Sequence, residues 1–259
     1  MNILIYLFFF VLGSIIGSFL NVVLFRFNTG RTIGGRSACF SCKRTLAPID
    51  LVPIVSYIVF GGRCRTCKSH VSFQYPLVEL ATALLFVGSY VLYAPLLTLN
   101  PILFAFKIIV SLIVMSLLVL ITVYDIRHKI IPDVFAYTFA VVSFVSLFVY
   151  IGSTGQFVIV IPAIPELFAG IILAFPFYFL WLVSRGRWMG LGDAKLALGI
   201  GWFLGLAQGA TAIMYSFWIG AFVSLVILAF QNLFAKNKSL SMKSEIPFAP
   251  FLILGLLIV

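Results

Sequence analysis

Residues 103–125 read LFAFKIIVSLIVMSLLVLITVYD. One charge, Lys107, interrupts residues 103–124, and the run ends on Tyr124-Asp125. An apolar stretch of this length crosses a bilayer as a helix. A second string, Gly190-Leu191-Gly192-Asp193, places another aspartate at the opening of an apolar run. The whole chain has 7 acidic residues in 259. A carboxylate at a membrane boundary is costly unless paired or functional, so each of these two marks a site.

The composition agrees. The chain is 63% hydrophobic and 9% charged, with mean hydropathy +1.20, whereas a soluble domain is about a quarter charged. Long apolar runs rich in Phe, without short alternating segments, indicate helices rather than a barrel. The expected fold class is an all-α polytopic membrane protein. Eight spans are predicted from run length, at 3–25, 75–93, 103–124, 131–151, 166–184, 192–208, 211–233 and 246–259. The first has no basic segment before it and no small-residue cleavage site after it, so it reads as a retained span.

The net charge of +10 does not indicate nucleic acid, because the basic residues fall where cytoplasmic loops are expected. Segment 26–74 holds Arg26, Arg31, Arg36, Lys43, Arg44, Arg63, Arg65 and Lys68, with Asp50 its lone acid. That places the N-terminus outside and this segment in the cytoplasm. The turns 125–130, 185–191 and 234–245 are then also cytoplasmic, and each is basic. The outer connections 94–102, 152–165 and 209–210 contain no Lys or Arg. Lys107 snorkels outward. The third span ends inside and the sixth begins inside, so Asp125 and Asp193 are predicted at the same membrane depth. The chain divides into a first helix at 1–25, a cytoplasmic domain at 26–74 and a helical core at 75–259. Gly13 and Gly17, and Gly201, Gly205 and Gly209, have the small-residue spacing of closely packed membrane helices.

Cys39-x-x-Cys42 and Cys64-x-x-Cys67 are paired knuckles with tetrahedral metal spacing. Four soft thiolates suit a structural Zn2+ ion and leave no open position for catalysis. The apolar stretch from Leu51 to Phe60 is too short to span, and packs in the small domain or lies on the membrane surface. Two aspartates that share a proton can hydrolyse a peptide bond, one activating water and the other protonating the carbonyl. Asp193 at a helix start reads as the base, and Asp125 at a helix end as the acid. Gly190 and Gly192 form the active-site loop, letting the backbone turn tightly and a substrate strand approach. Asp133, after Pro132, reads as a normal helix start. Glu79 either pairs with a basic residue or binds a substrate amine. His70 and His128 read as solvated residues.

These strings together resemble the bifunctional type IV prepilin peptidases. The likeness rests on Gly17-Ser18-Phe19-Leu20-Asn21-Val22-Val23 with Arg26, both cysteine pairs, Gly61-Gly62-Arg63-Cys64-Arg65, and Tyr75-Pro76-Leu77-Val78-Glu79-Leu80. It continues through Asp125, Ile131-Pro132-Asp133, Met189-Gly190-Leu191-Gly192-Asp193-Ala194-Lys195-Leu196 and Ile246-Pro247-Phe248-Ala249-Pro250-Phe251. The resemblance implies Asp125 and Asp193 as the catalytic pair of a membrane aspartyl endopeptidase. Its substrates are then prepilins and pseudopilins of pilus and secretion systems, cut after a glycine at the cytoplasmic face of a bacterial inner membrane. It also implies N-methylation of the new N-terminus with S-adenosylmethionine, with Glu79 a candidate near that site. The rival readings are a carboxylate-pair transporter, which calls for mid-membrane acids and inverted repeats, and a non-catalytic assembly factor, which leaves the matched aspartates unexplained. Oligomeric state is not legible in the sequence.

Overall fold

The computed structural model describes residues 3–30, 32, 34–151, 157–159, 161–234 and 247–259. Arg31, most of the loop 152–165 before Ile161, the basic turn 235–245 and Ile246 therefore lie partly or wholly outside the described residues. The chain forms two compact units, Met1–Leu120 and Ile121–Val259.

In the first unit, α1 (Ile3–Arg26) packs along α3 (Gln74–Leu99). The contact depends on glycine. A Cβ on Gly13 would lie 2.6 Å from the Ala83 Cα, and one on Gly17 would lie 2.7 Å from the Glu79 Cα. Close backbone approach of this kind is how helices associate where lipid supplies no hydrophobic drive. Polar side chains face inward. Asn21 is fully buried, its amide donating to the Gly17 and Tyr75 carbonyls. Helix α4 (Pro101–His128) starts on Asn100, whose Oδ1 accepts from the Ile102 and Leu103 amides. This cap satisfies two of the donors that a helix start leaves free. Ser111 of α4 bonds Ser89 of α3 at 2.8 Å. Between α1 and α3 lie a 3-10 turn (Pro48–Leu51) and a short α2 (Val55–Val59).

In the second unit, α5 (Asp133–Ser146) follows the end of α4, starting on Pro132 as the sequence indicates. The expected span 131–151 is only partly helical. It ends in β1 (Val149–Ile151), which pairs antiparallel with β2 (Phe157–Ile159), with Tyr150 opposite Val158. This short hairpin sits within a mostly helical chain, as expected; β-branched and aromatic residues at 149–151 suit a strand, and Gly152 follows them. Then come α6 (Ile164–Ser184), α7 (Leu191–Phe234) and α8 (Ala249–Ile258).

Among the described residues, five helices are long and apolar enough to cross a membrane: Ile3–Arg26, Gln74–Leu99, Pro101–His128, Ile164–Ser184 and Leu191–Ala229. The last is 39 residues, about 58 Å if straight, against a hydrocarbon core of about 30 Å. It is not straight. Gly205 has φ 80° and ψ 178°, open to glycine alone. A Cβ on Gly209 would lie 3.5 Å from the Gly201 Cα, although eight residues along one helix span about 12 Å. The chain thus folds back at Gly205 into two antiparallel arms. Gly205 is the break, not a packing residue as its spacing suggested. Gly201 does pack, with its missing Cβ 2.6 Å from the Gly170 Cα of α6.

Replacing Gly17 by leucine should force α1 and α3 apart and cost about 1–3 kcal/mol, the usual penalty of overpacking. A lower thermal midpoint in detergent checks this, with Gly88→Leu, where nothing lies within 4 Å, as the neutral control.

Candidate active site and metal centre

Asp125 lies in the last turn of α4 and Asp193 in the first turn of α7. Both are buried, at 5% and 9% exposure, and they are near enough for their charges to act on each other. The Asp125 Oδ2 accepts the Ala249 amide at 3.2 Å. Ala249 opens α8, where the first amides have no partner within the helix, and Pro250 behind it has no amide to satisfy. The Gly190 amide reaches the Asp193 carboxylate. Reading the sequence missed Ala249. The signal available was the Pro-bounded string 247–250 at the start of an apolar run.

The glycines of the loop serve by their size. Neither Gly190 nor Gly192 has a positive φ, so the expected tight turn is not what requires them. A Cβ on Gly192 would meet the Ile131 Cβ at 2.8 Å, so its absence lets the start of α7 close onto the loop that follows α4. A Cβ on Gly190 would lie 3.5 Å from the Asp193 Oδ2, so its absence leaves that carboxylate oxygen uncovered. An ion pair fastens the same two segments: the Lys195 Nζ is 2.6 Å from the Asp133 Oδ1 and lies over the Tyr137 ring. Asp133 is therefore both the expected helix start and the partner of Lys195. From Asp125 through Ile131 to Asp133, across to Lys195 and back to Asp193, the chain forms a closed ring of backbone and contacts.

In the first unit the four cysteines meet. Their Sγ atoms lie within 4.8 Å of one another, with the Cys39 and Cys67 sulfurs 3.7 Å apart. Tetrahedral zinc with bonds of about 2.3 Å sets its sulfurs about 3.8 Å apart, so the four thiols fit that ion. The two knuckles share one backbone pattern. The Cys39 amide donates to the Arg44 carbonyl and the Cys64 amide to the Ser69 carbonyl, while the Lys43 and Lys68 amides return to the cysteine carbonyls. Lys43 and Lys68 both have positive φ. The Cys42 amide and the Ser69 hydroxyl pull the Cys39 thiol down to about 6, and Ser69 lowers Cys67 as well. Cys42, although lowered by the Arg44 backbone, is raised to about 11 by burial and the three neighbouring thiols. Thiolates are the metal-binding form. Asp50 joins the knuckles, 2.5 Å from Arg44 and 3.6 Å from Arg65.

Glu79 is buried in α3. Its partners are the Ile54 amide, at 2.7 Å, and the Ser18 hydroxyl. His70 and His128 are exposed, as expected.

The fold and the two centres define a class: a helical membrane protein with paired acids at helix ends and four clustered thiols. Comparison with known proteins narrows it. Residues 11–93 match the Bacterial Peptidase A24 N-terminal domain, and residues 112–225 match the Type IV leader peptidase family. The prepilin leader peptidase/N-methyltransferase of Bacillus subtilis is 30% identical over 250 residues, covering 95% of this chain and 90% of the relative. Those of Aeromonas hydrophila and Pseudomonas aeruginosa are 29% and 28% identical, covering 94% and 93% of this chain and 86% and 85% of themselves. The chain belongs to the type IV leader peptidase family. No solved structure matches it significantly.

Two outcomes follow from the geometry. Lys195→Asp should cost about 0.5–1 kcal/mol of stability, the range for a partly exposed pair, and the double exchange with Asp133→Lys should recover most of it in thermal unfolding. The purified full-length chain should carry about one zinc by atomic emission, and Cys64→Ser should abolish it, since three thiolates leave the shell open.

Proposed function

We propose that this chain is an aspartyl endopeptidase of the membrane, cutting the short basic leader from prepilins and pseudopilins. The observation that carries it is the pair of buried, electrostatically interacting carboxylates, Asp125 and Asp193, at the ends of two apolar helices. The names of the relatives support the substrate class. Asp193 takes a proton from water, and the resulting nucleophile attacks the scissile carbonyl. Asp125 engages the Ala249 amide through Oδ2, so its proton is carried on Oδ1, facing the substrate oxygen. Collapse of the tetrahedral intermediate breaks the C–N bond, and the departing amine takes up the proton. Gly190 leaves room for the substrate strand beside Asp193.

The proposed setting is an inner membrane crossed eight times, the two arms of α7 counting separately and α5 and α8 as short crossings. The basic turns support a cytoplasmic active site and an outer N-terminus. The proposed layout is a first helix at 1–25, a zinc-binding domain at 26–74 held by Cys39, Cys42, Cys64 and Cys67, and the protease core at 75–259. Cleavage falls after glycine, where the substrate's apolar helix leaves the cytoplasm. The relatives' names also support N-methylation of the product, for which S-adenosylmethionine would supply the methyl group. Glu79 is proposed as a residue of the methyl-transfer or substrate site: the Ile54 amide and the Ser18 hydroxyl orient its carboxylate, which keeps acceptor capacity for a substrate amine.

Asp125→Asn and Asp193→Asn should each lower cleavage of a reconstituted prepilin by about 10³-fold or more, the scale of lost acid–base catalysis. An asparagine at 125 keeps an acceptor for the Ala249 amide, so the fold survives. The product N-terminus is read by mass, which reports any added methylene in the same sample. Undiminished cleavage by either variant would sink the pair mechanism.

A further inference from the structure

Residues 51–59 carry their apolar side chains outward. Leu51 and Val52 are 41% exposed, Val55 54%, Ile58 70% and Val59 67%. Positions 55, 58 and 59 share one face of α2, and a helix on a small domain in water turns such a face inward. Here the inward positions are already committed. The Tyr57 ring covers Gly62 and meets the Phe73 ring at 6.2 Å, while the Ile54 amide is bonded to Glu79. Among the described residues, none covers the outward stripe.

Its depth is set by α3. Glu79 lies five residues past Gln74, the first residue of that helix, or about 7.5 Å along its axis. From Phe73 onward α3 displays Leu77, Leu80 and Leu84, at 53%, 44% and 57% exposure, as a lipid-facing helix does. The bond to Glu79 thus holds the Ile54 turn level with the first turns of a membrane-crossing helix. That turn is strained. Ile54 has φ 61° and ψ −52°, and the Val55 amide closes onto the Pro53 carbonyl at 2.5 Å, a γ-turn rarely adopted by a β-branched residue. Such strain persists where the surroundings over-determine it, and a buried carboxylate that needs a donor does so here. Exposed Arg63 and Arg65, suited to anionic headgroups, border the stripe, the Arg63 amide on the Phe60 carbonyl and the Arg65 guanidinium over the Phe60 ring.

We infer that residues 51–59 are an interfacial membrane anchor, with Leu51, Val52, Val55, Ile58 and Val59 seated among phospholipid chains beside α3. The occupant is the bilayer itself. An interfacial helix buries its apolar face about 5–10 Å deep, the depth that Glu79 imposes. The anchor fixes the four-cysteine domain against the membrane surface.

The test uses the full chain carrying a benzophenone amino acid at Ile58 or Val59, reconstituted in vesicles of phosphatidylethanolamine and phosphatidylglycerol. Irradiation followed by mass analysis reads adducts. Lipid adducts at both positions should approach those of a label at Leu84 and exceed those at Lys68 by about tenfold, as expected for a group in the acyl boundary. Adding Glu79→Ala should reduce the adducts at 58 and leave those at 84 unchanged. Lipid adducts at 84 but not at 58 or 59, or adducts there to a second protein chain, overturn the anchor.

Discussion

A carboxylate removed from water needs hydrogen-bond donors, and within a bilayer they must come from the protein. Each buried acid among the described residues meets this demand with a backbone amide. Asp125 takes that of Ala249, Asp193 that of Gly190 and Glu79 that of Ile54. Backbone amides are donors that bring no charge of their own, so they can hold an acid without locking it into an ion pair. They are also available where helices start or loops turn, and that is where these acids lie. The lysine nearest to Asp193 in sequence is directed elsewhere, to Asp133. The two aspartates thus stay free of that cation and remain coupled to each other.

Close approach is the second requirement, and glycine supplies it. Gly13 and Gly17 bring α1 against α3, Gly201 brings α7 against Gly170 of α6, and Gly192 brings the first turn of α7 onto Ile131. In each case a Cβ would fall within 3 Å of another atom, so the helix axes would have to separate. Gly205 acts differently, through a backbone conformation rather than a missing side chain. By reversing α7 there, the chain converts one overlong helix into a short first arm of about 21 Å and a longer second arm.

The four-cysteine domain is organised on a smaller scale. It has little apolar material to bury, since its largest aliphatic residues face outward. Two knuckles with one hydrogen-bond pattern, a shared acid between them and four converging thiols take the place of a core.

Much of this was legible in the chain itself. Length of apolar runs marked the helices, and basic turns placed Asp125 and Asp193 at matching helix ends, because spanning length and loop charge are local properties. Cysteine spacing predicted the four-thiol cluster for the same reason. What lay beyond reach were contacts between residues distant in sequence. Ala249 is 124 residues from Asp125, and no periodicity announces which amide will meet which carboxylate. The partner of Lys195, the fold-back at Gly205 and the commitment of Glu79 to Ile54 likewise emerge only when helices pack. A sequence determines where a polar group must be satisfied; only the tertiary structure decides by which group, since that depends on which free amides packing brings within 3 Å or so.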